Sequence, residues 1–175
     1  RYPLHGFPIR NFVKNHHPSM FRGRHELSID PKGRLAIPAK FRDVLSKKFA
    51  DEDDEARFVV SLDNGERLLI YPECEWEKVE QQLLDLNVNG RPELQAYQNL
   101  LLHNAETLEL DSAGRVLIPA NLRQLVGLDK DVTLVGRVNR LELWRRESQQ
   151  QGTLDAINMD KDALNAALSE TDLRL

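Results

Sequence analysis

The chain has 175 residues, 41% of them hydrophobic and 30% charged, the balance of a globular protein with room for one ordinary domain or two small ones. Its 24 lysines and arginines against 28 aspartates and glutamates leave a net charge of −4, which excludes a polycation that coats nucleic acid indiscriminately. No apolar run approaches the ~18 residues that cross a bilayer, and the single cysteine, Cys74, excludes an internal disulfide and a multi-cysteine zinc site and fits a reducing cytosol.

Residues 1–19 contain three prolines and show neither a helical nor a strand period. They also lack the apolar core of a secretory signal and are expected to form a disordered extension, with the compact protein opening at Met20. Leu27 and Ile29 alternate with polar neighbours, as a half-buried strand requires. Asp30-Pro-Lys-Gly33 is turn chemistry: the carboxylate accepts backbone N–H bonds and the glycine takes positive φ. Arg34-Leu-Ala-Ile37 continues as a second strand, which leaves Arg34 at the tip of a hairpin. Pro38 suits the first turn of a helix whose apolar face is Phe41, Val44, Leu45 and Phe49. After an acidic stretch at 51–57 come two further strands, Phe58–Leu62 and Arg67–Tyr71.

Two helical faces follow, Trp76, Val79, Leu83 and Leu86, then Leu94, Tyr97 and Leu101, with Pro92 opening the second. Thr107–Leu110 alternates as a strand, Asp111-Ser-Ala-Gly114 is a second turn, and Arg115–Ile118 is the strand after it. Pro119 opens a helix carrying Leu122, Leu125 and Val126, and Gly127 is its C-terminal stop. Strands Val132–Val135 and Leu141–Trp144 close the series. The polar tail holds Leu154, Ile157, Leu164 and Leu168 on a weakly amphipathic packing or assembly helix with a frayed end.

This order of elements is an internal repeat. Asp30–Arg42 aligns with Asp111–Arg123 at an offset of 81, with Asp, Gly, Arg, Ile, Pro, Ala and the final Arg identical. Glu66–Tyr71 aligns with Asn139–Trp144 at an offset of 73, and the eight-residue difference falls on the acidic 51–57 insertion. The reading divides the chain into a 1–19 extension, repeat 1 at 20–72, a helical linker at 73–104, repeat 2 at 105–148 and a tail at 149–175. One repeat is too small to bury a core, so the two must pack on each other as an internal pseudo-dimer, mainly β with α-helices.

Charge is segregated. Residues 20–48 carry eight basic side chains against three acids, a net +5, whereas the 51–57 stretch and the tail from Glu147 are each −4. A basic block in an acidic chain points to one surface for polyanions. Lys32 and Lys40 of the first repeat are Ala113 and Asn121 in the second.

Met20-Phe-Arg-Gly, the two spaced copies of Asp-x-x-Gly-Arg-(apolar)₂-Ile-Pro, and the aromatic strand ends Tyr71 and Trp144 resemble the MraZ family of bacterial transcriptional regulators, with two tandem AbrB-like (SpoVT-AbrB) repeats. The resemblance covers about residues 20–150. It implies an α+β fold built as a double-split, swapped-hairpin β-barrel, assembly into homo-oligomeric rings, and a cytoplasmic, nucleoid-associated location. It also implies binding of double-stranded DNA at short direct repeats upstream of the division and cell-wall gene cluster, the protein's own promoter included.

A two-stranded ribbon fits the major groove, basic side chains on phosphates supply most of the affinity, and an Arg fork pairs bidentately with guanine. This assigns base readout to Arg34 and phosphate contacts to Lys32, Arg22, Arg24 and Lys40 or Arg42, with Arg115 as the second repeat's equivalent. Asp30, Gly33, Asp111 and Gly114 are assigned to the turns. The competing reading has Arg34 and Arg115 pairing with Asp30 and Asp111 to hold those turns, and Arg42 and Arg123 as solvated helix charges. An antitoxin-like interaction module is the rival function, since AbrB-type folds also neutralise toxins. Those carry one repeat, whereas two are fused here.

An enzyme is not indicated. No Gly-x-Ser-x-Gly, P-loop, dinucleotide fingerprint or HExxH occurs, and no cofactor or metal is expected. Cys74 lies between Glu73 and Glu75, which raises a thiol's pKa, and His103 is read as structural.

Overall fold

A computed structural model of the chain describes residues 20–49 and 57–173. The expected 1–19 extension and most of the acidic insertion lie outside the described residues. The elements, in chain order, are β1 (Phe21–Ser28), β2 (Arg34–Ala36), α1 (Ala39–Lys48), β3 (Phe58–Asp63), β4 (Arg67–Pro72), α2 (Glu73–Leu84), α3 (Pro92–His103), β5 (Glu106–Leu108), β6 (Arg115–Leu117), α4 (Ala120–Leu125), β7 (Asp131–Val138), β8 (Arg140–Arg145), α5 (Arg146–Ile157) and α6 (Lys161–Ser169). The fold is mixed α+β with a mainly antiparallel sheet.

Six strands form one sheet in the order β1-β7-β8-β4-β3-β5, and β2 pairs with β6 in a separate two-stranded ribbon. Four of these strands form ordinary hairpins, β3 with β4 and β7 with β8. The rest of the pairing crosses between repeats. All eight residues of β1 pair with β7, β5 pairs with β3, β4 with β8 and β2 with β6. Each repeat therefore lends its first strand to the other repeat's third, which is why neither can close a core alone.

The hairpin expected around Asp30–Gly33 is thus corrected. Its tip is closed by a Gly33 N–H bond to the Asp30 carbonyl at 2.8 Å and an Asp30 N–H bond to the Arg34 carbonyl at 2.9 Å. Beyond that, only Ile29 and Leu35 bridge, and the two strands leave for different partners. Alternation identifies a strand and its buried face; it carries no information about which strand supplies the hydrogen bonds.

The core lies between the inner face of the sheet and a second layer made of the β2–β6 ribbon, α1 and α4. Leu62, Leu68, Leu134 and Leu143 come from one layer, and Leu35, Phe41, Leu45, Val116, Ile118 and Leu122 from the other. Phe21 joins the layers edge-on to Phe41, with ring centroids 5.8 Å apart. The helix after each Ile-Pro starts as expected, directly after Pro38 and Pro119. Leu125, expected in the core, is exposed. Helix α4 stops there, Gly127 takes φ 62°, and the Leu128 N–H reaches back to the Arg123 carbonyl at 2.8 Å, so Leu128 fills the core position instead.

The outer face of the sheet is covered unequally. Helices α2 and α3 bury Val59, Leu69 and Tyr71 under Trp76, Leu83 and Leu101. Helices α5 and α6, two where one was expected, bury none of their own side chains. Among the described residues no helix is long and apolar enough to cross a membrane.

Candidate nucleic-acid interface

The β2–β6 register sets Arg34 opposite Leu117 and Ala36 opposite Arg115. Leu35 and Val116 between them are fully buried. The period of two therefore turns Arg34, Ala36, Arg115 and Leu117 outward on one face, with the two arginines at diagonal corners. Leu117 on this face is 57% exposed.

Each arginine is held by its turn aspartate in the same way. Asp30 Oδ1 accepts the Lys32 and Arg34 backbone amides at 2.9 Å, and Oδ2 accepts Arg34 Nε at 2.7 Å and lies 2.7 Å from Nη2. Asp111 Oδ1 accepts the Ala113 and Arg115 amides at 2.9 Å, and Oδ2 accepts Arg115 Nε at 2.8 Å and lies 2.8 Å from Nη2. The pairing read from the sequence as the competitor of DNA contact is present in both repeats. It uses Nε and Nη2, so the Nη1 end of each fork lies outside it, and the side chains stay 31% and 34% exposed. An aspartate that fixes the rear edge of a guanidinium aims its front edge outward.

The Arg34 side-chain hydrogen bond, reinforced by the Arg34 amide, holds the Asp30 carboxyl down at about 2, and Arg115 lowers Asp111 in the same manner. A carboxylate whose folded pKa lies below its ordinary 3.8 favours the folded turn at any pH above about 4. That contribution fades as pH falls from 4 toward 2. An NMR carboxyl titration is expected to show Asp30 and Asp111 titrating below the unpaired aspartates, with the Lys32 and Ala113 amide shifts following them. No change of the turns is expected between pH 5 and 8.

The helix arginines are not simple solvated charges. A Cβ on Gly33 would lie 2.9 Å from Arg123 Nη2, and a Cβ on Gly114 would lie 2.7 Å from Arg42 Nη1. Each repeat thus lays an arginine over the other repeat's turn, where the glycines also take φ of 84° and 73°. Reciprocal hydrogen bonds seal the junction, from Ile37 N–H to the Gly114 carbonyl at 3.0 Å and from Ile118 N–H to the Gly33 carbonyl at 2.9 Å. Arg34, Arg115, Arg42, Arg123 and the exposed Lys32 accordingly surround one ribbon. The sequence signal for the last pair was the matched Arg42 and Arg123 that end the repeat motif.

Arg22 and Arg24 do not share this face. On β1 they alternate with Phe21 and His25, which pack on Phe41 of α1. They therefore project from the sheet's outer side, where Arg24 Nη1 donates to Gln149 Oε1 of α5 at 3.2 Å. Lys40 donates to the Arg22 carbonyl at 3.2 Å. Cys74 is exposed, with partial burial of its sulfur and the Glu75 charge pushing the thiol pKa up, and His103 is exposed at the end of α3.

The chain matches a family model described as "MraZ protein, putative antitoxin-like" over residues 20–94 and again over 101–168. It is 56% identical over 156 residues to the transcriptional regulator MraZ of Neisseria gonorrhoeae, spanning 89% of this chain and 100% of the relative. It is 50% identical over 151 residues to that of Chromobacterium violaceum (86% and 98% covered) and 39% identical over 149 residues to that of Thiobacillus denitrificans (85% and 97% covered). Two tandem matches, on the two repeats that exchange strands, place this chain in the MraZ family.

Proposed function

We propose that the chain is a DNA-binding transcriptional regulator, non-enzymatic and cytoplasmic, that reads promoter direct repeats with the outward face of the β2–β6 ribbon. The observation that carries the reading is the pair of aspartate-held arginines at diagonal corners of one exposed two-stranded ribbon. A ribbon of this width enters the major groove, and an Arg fork discriminates guanine through O6 and N7. Arg34 and Arg115 take that role, with Lys32, Arg42 and Arg123 on phosphates. The names of the relatives support a role in transcription. The crossed pairing of the repeats supports a double-split, swapped-hairpin barrel as the scaffold.

One ribbon per chain binds weakly, and a ring of identical chains gains avidity on repeated sites spaced near one helical turn, ~10 base pairs. The expected targets lie upstream of the division and cell-wall gene cluster, within the nucleoid. Fluorescence anisotropy on the protein's own upstream DNA, against a scrambled duplex and across a salt series, tests this. Saturable binding that prefers the native repeats and weakens steeply with salt is expected; equal binding to both duplexes overturns sequence-specific regulation. The family description keeps a second reading, an antitoxin-like module. Its signature is a stoichiometric protein complex together with no preference between the two duplexes.

A further inference from the structure

The outward face of the β2–β6 ribbon carries an apolar side chain that the contacts proposed above do not use. Leu117 stands between the arginines of this face and is 57% exposed. Among the described residues it is the one exposed leucine on a strand; the others lie on helices or in the tail. The core does not need it. Leu35 and Val116, which turn inward from the same two strands, are fully buried and supply the ribbon's share of the apolar interior. A strand position that faces water ordinarily carries a polar or charged residue, as Arg34 and Arg115 do here.

The register places Leu117 directly opposite Arg34. The bonds from Ile118 N–H to the Gly33 carbonyl and from Ile37 N–H to the Gly114 carbonyl fix which positions of the ladder are hydrogen-bonded. By alternation Arg34–Leu117 and Ala36–Arg115 are the unbonded pairs, the class whose side chains stand closest, with Cβ atoms ~4.5–5.5 Å apart. The Arg34 fork is held from behind by Asp30, so it cannot swing across to cover its neighbour. At the offset of 81 that relates the repeats, the counterpart of Leu117 is Ala36, which stands beside Arg115. One end of the ribbon therefore presents an arginine with a long apolar side chain next to it, and the other an arginine with a single methyl.

We infer that Leu117 is a specificity-determining residue that packs on the C5-methyl of a thymine, in the base pair next to the guanine taken by Arg34. This rests on the ribbon readout proposed above and names a second base that it selects. The major-groove edges of the bases are donors and acceptors, and the thymine methyl is the apolar feature among them. A leucine pressed against any other edge leaves a donor or acceptor without a partner, so the same side chain that gains from thymine rejects the other bases. The closeness of Leu117 to Arg34 ties the thymine to the guanine as neighbours. Ala36 is too short to make the same contact beside Arg115, so each recognition element has one such thymine and not a matched pair.

Deoxyuridine pairs as thymidine does and lacks only the C5-methyl. The test is a scan of the protein's own upstream DNA in which one thymine position of every repeat at a time is replaced by deoxyuridine. Anisotropy is measured with the full wild-type chain and with Leu117→Ala, which leaves the buried face of the ribbon intact. Loss of a methyl from an apolar contact is expected to weaken wild-type binding about fourfold for each repeat engaged. One position per repeat should show this, with a guanine in the adjacent base pair. Leu117→Ala is expected to bind the thymine and deoxyuridine duplexes equally at that position while still preferring native repeats to scrambled DNA. A wild-type protein that prefers the native repeats but is indifferent to every replacement overturns the role of Leu117 and leaves ribbon readout standing. So does a Leu117→Ala protein that keeps the wild-type loss, because another group then holds the methyl. A wild-type protein with no preference for the native repeats overturns ribbon readout and this contact together.

Discussion

Arg34→Ala is expected to erase most of the preference for native promoter repeats over scrambled DNA. Removing one bidentate guanine pairing takes away about 1–3 kcal/mol of discrimination, roughly 5- to 150-fold in the affinity ratio. Binding to the scrambled duplex is expected to fall far less, with the salt slope reduced by about one ion at most. The turn should survive, since Asp30 keeps the Lys32 and Arg34 backbone amides at 2.9 Å. Arg115→Ala is expected to behave alike, because its fork is held by the same contacts on the same face. Lys32→Ala provides the contrast: without its phosphate partner, binding to both duplexes weakens equally. Anisotropy titrations at two salt concentrations separate these outcomes. An Arg34→Ala protein that retains the full native-to-scrambled ratio would falsify ribbon readout.

Gly136→Ala is expected to cost the fold about 3 kcal/mol or more, the upper range for overpacking a close contact. A Cβ there would lie 2.6 Å from the Arg22 backbone nitrogen and 2.6 Å from the Phe21 carbonyl carbon. Backbone atoms cannot rotate away as a side chain can, so β1 would have to lift from β7. With it would go Phe21, which is fully buried among Phe41, Phe49 and Phe58. Thermal unfolding should drop by roughly 6–12 °C for a chain of this size. Gly152→Ala, on α5 with nothing within 4 Å of the added methyl, is the matched control. It is expected to stabilise slightly, by about 0.5–1 kcal/mol, since alanine is the better helix former. Equal midpoints for the two variants would mean that the β1–β7 crossing is not tight.

Much of the local structure was legible because its causes are local. Asp-x-x-Gly encodes an Asx turn wherever it stands, proline after isoleucine starts a helix, and Gly127 ends one. The candidate site was legible only in pieces. Arg34 and Arg115 can be named from the repeated motif, but in the sequence DNA and aspartate stand as alternatives for them. The geometry lets one guanidinium have an aspartate on its rear edge and an outward-facing front. Arg22 and Arg24 read as part of the same basic block because they are near Arg34 in sequence. Strand alternation places them on the far side of the core, because the turn at Asp30–Gly33 carries the chain from one layer to the other.

What the sequence by itself determined is the duplication, the type and order of most elements, the turn chemistry and the family resemblance, all of which depend on residues a few positions apart. Only the tertiary structure decided the partners: β1 with β7, β2 with β6, Arg42 over Gly114 and Arg123 over Gly33. Backbone hydrogen bonds are the same at every residue, so a strand's pattern specifies a buried face and leaves its neighbour open. The neighbour follows from the one closure that covers both repeats' apolar faces at once, and that closure brings two distant arginines onto a single ribbon.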